Sequence, residues 1–442
     1  MLATLLKIIT YLFIVFGKMV FADVDLLYCV ESTLQENSEI KKARAEFFAF
    51  RELEDQSLAN LLPSIGVSVS RSKVNQERSD GFGTEVDQNY IMESDSISLR
   101  QPLYRPKLLR ELKRTKKEVA SEKLLLLNKE DIVTMKVAEV YFKLLRAYEE
   151  KALLEKRINL LKEQKKAVLK SIDAGRGTIT ELAEINAAND KASADLIRTD
   201  QNIRLELNEL QFYTGVEIVK IKSLNENINN FNMFKNNSVS KWEEEAVLNN
   251  YELKSKREKI SAAQIALSSE RLNRYPTIDL NVQLARGSSE STFFVDSETK
   301  SNSVGLTFFL PLYQGGSASS KIRQSAAKLE AEVEGLKLQE EDLRKRVQKI
   351  YYGMVESIEL QSALKSAIKS ATVELEATKK STVAGVRKQL DVLISQQKAL
   401  SVEREFIDTK INIILYWLNL NMLKSNLSRE TIKTVNALLL SY

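Results

Sequence analysis

Residues 278–284 read Ile278-Asp279-Leu280-Asn281-Val282-Gln283-Leu284, so that each apolar side chain is separated from the next by a polar one. Alternation of period two places the two sets on opposite faces of an extended chain, which is the pattern of a half-buried strand. Farther on, Val304, Leu306, Phe308 and Leu310 alternate with Ser303, Gly305 and Thr307. The pattern also occurs earlier, with Ile65, Val67 and Val69 against Gly66, Ser68 and Ser70, then Ile97 and Leu99 against Ser96, Ser98 and Arg100. Segments of roughly 10 residues of this kind, flanked by aromatics such as Tyr90, Tyr104, Phe294 and Tyr313, fit the wall of a transmembrane β-barrel. A small soluble antiparallel sheet is the plain alternative. Polar stretches at about 73–91, with Asp80-Gly81, and at 286–302 are expected as loops.

Four strands cannot seal a barrel. An unpaired sheet edge in lipid costs several kcal/mol per group, and the smallest known barrels use about eight strands. A chain with this pattern must therefore share its wall with further copies, and two or three copies remain open at this point.

Outward from the strands, the chain repeats itself. Asn37-Ser38-Glu39-Ile40 recurs as Asn250-Tyr251-Glu252-Leu253, and Leu62-Pro63-Ser64-Ile65 as Tyr275-Pro276-Thr277-Ile278, both shifted by 213. Pro102-Leu103-Tyr104 recurs as Pro311-Leu312-Tyr313 after 209 residues, and Ala174-Gly175 as Ala384-Gly385 after 210. The expected organisation is a leader at 1–22, a first copy at 23–224, a polar linker at 225–240 with seven asparagines in 225–237, and a second copy at 241–442. Each copy reads as a helix (about 24–61 and 241–274) ended by Pro63 or Pro276, two strands, a long helix to the Gly175 or Gly385 turn, and a return helix ending near Gly215 or Ser425.

The long helices carry heptads. Val119, Leu126, Val133, Val140, Ala147, Leu154, Leu161 and Val168 keep a seven-residue stride, joined by Val137, Leu144, Ile158 and Ile172. The stride continues in the second copy through Leu329, Leu336, Leu343, Ile350, Ser357, Leu364, Ala371 and Thr378. A strict heptad seam implies a left-handed supercoil with a neighbouring helix. A helix over about 107–174 is on the order of 100 Å long at 1.5 Å per residue. The fold class is therefore mainly α with transmembrane β: long antiparallel coiled-coil helices plus four strands per chain.

Composition narrows the chemistry. The 442 residues include five prolines, one cysteine and no histidine, and 65 Lys and Arg stand against 60 Asp and Glu in mixed runs. This removes His-based triads and metal clusters, internal disulfides and a basic nucleic-acid footprint. No cofactor, no enzyme activity and no nucleic-acid partner are expected. Lys7, the apolar run Ile8–Phe16 and Val20-Phe21-Ala22 read as an export leader cleaved after Ala22. Cys29 follows the bulky Tyr28 and reads as a buried thiol, not a lipidation site.

With its duplicated plan, Leu62-Pro63-Ser64-Ile65, two Pro-Leu-Tyr strand exits and glycine turns, the sequence resembles the TolC family of outer-membrane channel proteins. The resemblance implies a homotrimer whose strands make one twelve-stranded barrel in the outer membrane of a Gram-negative bacterium. It also implies a periplasmic helical tunnel, a periplasmic adaptor and an inner-membrane ABC or proton-driven transporter. Such a duct passively conducts drugs, small molecules or secreted protein. By residue match, Arg387 is the basic gate residue, Thr180 and Glu181 are its partners, and Asp391 lies on an acidic ring. Ile394 stands where the family has a second ring acid and Thr382 where it has a gate tyrosine, so entrance selectivity and one latch depart from the family pattern. Rival readings are a periplasmic adaptor and a soluble or surface coiled-coil structural protein. An adaptor would show one hairpin and a lipoyl-like insertion.

Overall fold

The computed structural model describes residues 24–79, 85–175, 177–224, 238–291 and 294–439. The expected leader, Arg176 and the asparagine-rich 225–237 lie outside the described residues. Within them, the helical periodicities and the strand alternation become nine α-helices and four strands. In chain order come α1 (Leu26–Glu36), α2 (Ser38–Ala59), β1 (Ser64–Ser79), β2 (Glu85–Tyr104), α3 (Pro106–Asp173) and α4 (Ile179–Thr214). The second half repeats that order as α5 (Val239–Asn249), α6 (Tyr251–Arg271), β3 (Thr277–Ser291), β4 (Phe294–Phe309), α7 (Ser317–Val383) and α8 (Gln389–Leu423), and adds α9 (Arg429–Asn436).

Two compact units form, and each draws on both halves of the chain. One comprises residues 46–124 and 254–338; the other comprises the described residues up to 45, residues 125–253 and those from 339 on.

In the first unit the strands make one antiparallel sheet in the order β1-β2-β3-β4. The ladders are long: Ser64 to Ser79 pair with Arg100 to Glu85, and Thr277 to Ser289 with Phe309 to Ser297. The stretches expected as loops are therefore mostly strand, because polar residues on both sides of each hairpin continue the backbone ladder once the apolar residues set its register. The two halves join where β2 meets β3, with Ile97 opposite Leu284 and Leu99 opposite Val282. At the strand bases Asp279 is buried and accepts hydrogen bonds from Arg105, including one of 2.7 Å, and one of 3.2 Å from Arg100.

In the second unit the heptad seam is the core. Val133, Val137, Val140, Leu144, Ala147 and Leu161 of α3 are buried, as are Leu343, Val347, Met354, Leu364, Ala371 and Thr378 of α7. Burial of each larger aliphatic side chain contributes on the order of 1.5–3 kcal/mol.

The single helix expected over 24–61 is broken, and so is the one over 241–274. Asn37 is extended between α1 and α2, and Asn250 stands at the corresponding break between α5 and α6. Each asparagine is buried and caps the helix after it: the Asn37 carboxamide oxygen accepts from the Glu39 backbone at 2.9 Å, and that of Asn250 from Leu253 at 3.1 Å. Each also donates from Nδ2 to the end of a return helix, Asn37 to Tyr213 O at 3.0 Å and Asn250 to Leu423 O at 2.9 Å. Asparagine can do both because its amide is donor and acceptor at once. Helices α1 and α9 meet through Asp25, which accepts from Asn436 Nδ2 at 3.1 Å, and through an Arg429–Glu31 ion pair at 2.7 Å. Cys29 is buried, and burial pushes its thiol pKa up.

Candidate functional site: the strand wall and the hairpin turns

The wall has two chemically distinct faces. On one, Ile65, Val67, Val69, Val304, Leu306 and Phe308 are each between 63% and 75% exposed, far more than a soluble sheet would leave to water. The register aligns them with Ile97, Leu99, Val282 and Leu284 across the strands. The other face carries Ser68, Ser70, Ser96, Ser98, Asn281, Gln283, Ser303 and Thr307, and there Asn281 donates to Thr307 at 2.9 Å. An apolar exterior with a polar, small-residue interior is the division of a water-filled barrel in lipid. Tyr104, Tyr275 and Tyr313 stand exposed at the helix-side end of the strands, where aromatic girdles sit. The Phe294 side chain lies outside the described residues.

Both helical hairpins turn through a left-handed glycine, Gly175 at φ 70° and Gly385 at φ 76°. The following backbone N–H groups fold back onto the outgoing helix: Gly177 donates to Ser171 O at 2.9 Å and Arg387 to Ser381 O at 3.3 Å. Arg387 thus holds the place in its turn that Gly177 holds in the first. A Cβ on Gly177 would lie 2.8 Å from the Ile172 nitrogen, so the first turn has no room for a side chain there. Below the turns, Ile158, Leu161 and Ala192 pack with Leu393, and Ser395 donates to Thr378 at 3.3 Å.

Thr180 and Glu181 fall together in the first turn of α4, and Arg387 and Asp391 around the start of α8. Glu181 Oε2 accepts from the Thr178 backbone at 3.2 Å while Thr178 Oγ1 accepts from Glu181 N at 3.2 Å, a reciprocal capping box. Asp391 Oδ2 accepts from the Lys388 backbone at 3.1 Å. Among the described residues, none of these four side chains pairs with another across the two turns within one chain. Thr382 donates its hydroxyl to Thr378 O at 3.0 Å.

Apart from Ile394, the exposed apolar residues at the turns are ones that the sequence reading does not pick out. Ile179, Val383 and Val386 are 81%, 91% and 79% exposed, and Ile394 borders an open groove of about 720 Å³ with Ala187, Ala188, Leu390 and Leu393. A signal for them exists, since apolar residues inside a glycine turn have no core to enter. Among the described residues no group of His, Cys, Asp or Glu is placed to hold a metal ion.

A sheet with one exposed apolar face and one polar face, in a chain that also has long heptad helices, is the make-up of a β-barrel channel protein of the outer membrane. The chain belongs to the outer membrane efflux protein family, which matches residues 29–216 and 242–422. It is similar to the protease secretion protein PrtF of Dickeya chrysanthemi, at 26% identity over 92% of this chain and 89% of that protein. It is also similar to the outer membrane protein TolC of Escherichia coli, at 23% identity over 93% of this chain and 84% of that one. Its fold is that of the outer membrane protein VceC from Vibrio cholerae, with a TM-score of 0.76, 15% identity and coverage of 91% of this chain and 95% of that one. The Campylobacter jejuni CmeC outer membrane channel superposes with a TM-score of 0.74 at 16% identity, over 94% of this chain and 89% of that one. The protein is an outer-membrane channel of a Gram-negative bacterium and the exit duct of a tripartite export system, with its helical part in the periplasm.

Proposed function

We propose that this chain is the homotrimeric exit duct of a type I protein-secretion system, passing cargo delivered by an inner-membrane ABC transporter through a periplasmic adaptor. The observation that carries the oligomer is the open sheet. Among the described residues β1 and β4 each have a single neighbouring strand, and both present apolar residues to lipid. Three copies joined edge to edge give twelve strands and no free edge, which four strands alone cannot achieve. Secretion of protein is favoured by the similarity to PrtF and to the alkaline protease secretion protein AprF of Pseudomonas aeruginosa, the latter at 25% identity over 98% of this chain.

Conduction is passive: no residue performs covalent chemistry, and energy comes from the transporter. The mature chain starts at Asp23 and is two tandem copies, 23–224 and 241–442, joined by the polar segment between them. Arg387 latches to Thr180 and Glu181 of a neighbouring hairpin, and Asp391 contributes to an acidic ring at the entrance. Exposed pairs of this kind are worth at most about 1 kcal/mol each, so docking of partners can open them. The exposed Ile179, Val383 and Val386 suit the adaptor as apolar docking points.

The test is native mass measurement of the detergent-purified protein, followed by identification of the transporter that copurifies from membranes. A three-chain mass with an ABC transporter supports the reading. A stable monomer overturns the shared barrel, and a proton-driven pump in place of the ABC transporter overturns the cargo assignment.

A further inference from the structure

The apolar face of the sheet ends abruptly, and what adjoins it is charged. Going from the helix side toward the hairpin loops, the register aligns Ile65, Leu99, Val282 and Val304 in one row, then Val67, Ile97, Leu284 and Asn302. The next row on the same face is Val69, Asp95, Arg286 and Lys300, and the one after it Arg71, Glu93, Ser288 and Glu298. Successive rows are two residues apart, about 7 Å along a strand. Lys73 follows on β1, and only beyond it do Glu77 and Asp87 face one another.

The cations in this band stay open to their surroundings. Arg71 is 74% exposed beside Glu93 at 3.1 Å. Arg286 and Lys300, 63% and 72% exposed, share the single carboxylate of Glu298 at 2.7 and 3.2 Å. Asp95 stands opposite Arg286 in the register, so the band sets four cations against the three acids Asp95, Glu93 and Glu298, and their N–H donors outnumber the carboxylates within reach. The opposite, helix-side end of the belt carries Tyr104, Tyr275 and Tyr313 instead. The two ends of the wall therefore meet different surroundings, and the charged end, with four cations interleaved with three acids, is the one nearer the hairpin loops, away from the strand ends that run into α2 and α3.

Resting on the reading of this chain as an outer-membrane duct, we propose that Arg71, Lys73, Arg286 and Lys300 form a binding band for the phosphate-bearing glycolipid headgroups of the outer leaflet. A residue on the lipid side, one or two rows past the hydrocarbon belt, stands at headgroup depth. Long basic side chains there keep their stems along apolar surface and their charge among phosphates. Guanidinium groups match phosphate oxygens in a two-point contact that a sugar hydroxyl does not replace.

The full-length protein in neutral detergent is titrated with lipid A and with the same lipid after removal of its phosphates, and bound lipid is counted by native mass spectrometry. The wild type binds the phosphorylated form more tightly, and Arg286→Gln with Lys300→Gln reduces that preference by about fivefold per charge removed. Lys337→Gln, an equally exposed cation on α7, leaves it unchanged. Equal binding of the two lipids by wild type, or an undiminished preference in the double variant, overturns the assignment. Pore formation in neutral phosphatidylcholine is measured alongside: a wild type that conducts but shows no lipid preference sinks the band alone, whereas one that never conducts sinks the duct as well. If the double variant forms no pore, Lys73→Gln and Lys300→Gln singly, which leave the Arg286–Glu298 pair intact, carry the same expectation at about fivefold each.

Discussion

Glu181 and Asp391, 210 residues apart, do the same thing in their two hairpins: each carboxylate accepts the backbone N–H three residues before it, at 3.2 and 3.1 Å. The two acids matched to the gate are therefore also the residues that start the return helices. A helix leaves its first N–H groups without partners, and an acid at the third position both satisfies one and complements the helix dipole. Each capped carboxylate still has unused lone pairs, including those of its second oxygen, with which to meet a cation of a neighbouring chain.

That double duty separates two substitutions. Glu181→Ala loses the cap and should lower thermal stability by about 1 kcal/mol. Glu181→Gln keeps an acceptor and should not. If the charge latches to Arg387, both raise single-channel conductance in planar bilayers, and so does Arg387→Ala; conductance unchanged in Glu181→Gln and Arg387→Ala would sink the latch.

The two turns tolerate side chains differently. Gly177→Ala puts a Cβ 2.8 Å from the Ile172 nitrogen and should cost about 1–3 kcal/mol in unfolding free energy. Arg387→Ala, at the corresponding position, should leave stability within about 0.5 kcal/mol of wild type. Denaturant midpoints with constant slopes would check both.

Asn37 and Asn250 join the helix breaks to the ends of α4 and α8. Asn37→Asp keeps the cap acceptor but turns an oxygen toward the Tyr213 carbonyl, so it should destabilise by about 1–3 kcal/mol where a simple cap would be indifferent. Asn250→Asp, facing Leu423 O, should behave alike. Equal stability of wild type and Asn37→Asp at neutral pH would show that the donor is idle.

Asp131 on α3 predicts a pH dependence. Its Oδ2 is buried without a hydrogen-bond partner, and burial first, then the neighbouring Glu130 charge, pushes its pKa up to about 7. The folded protein keeps this proton to higher pH than the unfolded chain, so its contribution is most favourable below about pH 4 and is lost as pH rises toward 7. Asp131→Asn should remove that fall and raise stability at pH 8 by roughly 2–4 kcal/mol. Melting curves of wild type and variant that stay parallel from about pH 4.5 to about pH 8 would refute this.

Much of the architecture is legible in the chain because its periods are long and unmixed. The seven-residue stride from Val119 to Val168 and the two-residue alternation from Ile278 to Leu284 each admit one backbone geometry, and Pro63 and Pro276 mark where one gives way to the other. The helix breaks are not legible: Asn37 and Asn250 look like ordinary polar positions until Tyr213 and Leu423 arrive to take their amide protons. Strand length is hidden for a related reason. From Arg71 onward the residues of β1 are mostly polar on both faces, and only the partner strand makes them a ladder.

The candidate site divides the same way. The glycines at 175 and 385 mark the hairpin turns in the sequence, and the family resemblance picks out Arg387, Thr180, Glu181 and Asp391 beside them. Their local bonds, the exposure of Val383 and Val386, and the charged rows at Arg286 and Lys300 depend on which residues lie across a turn or a strand. Linear order determined periodicity, duplication and the need for a shared wall, because these follow from backbone geometry and from the cost of an unpaired edge in lipid. Register and neighbourhood were decided only by the folded chain, because a hydrogen bond or an ion pair requires two groups within about 3 Å, and distance in sequence does not measure that.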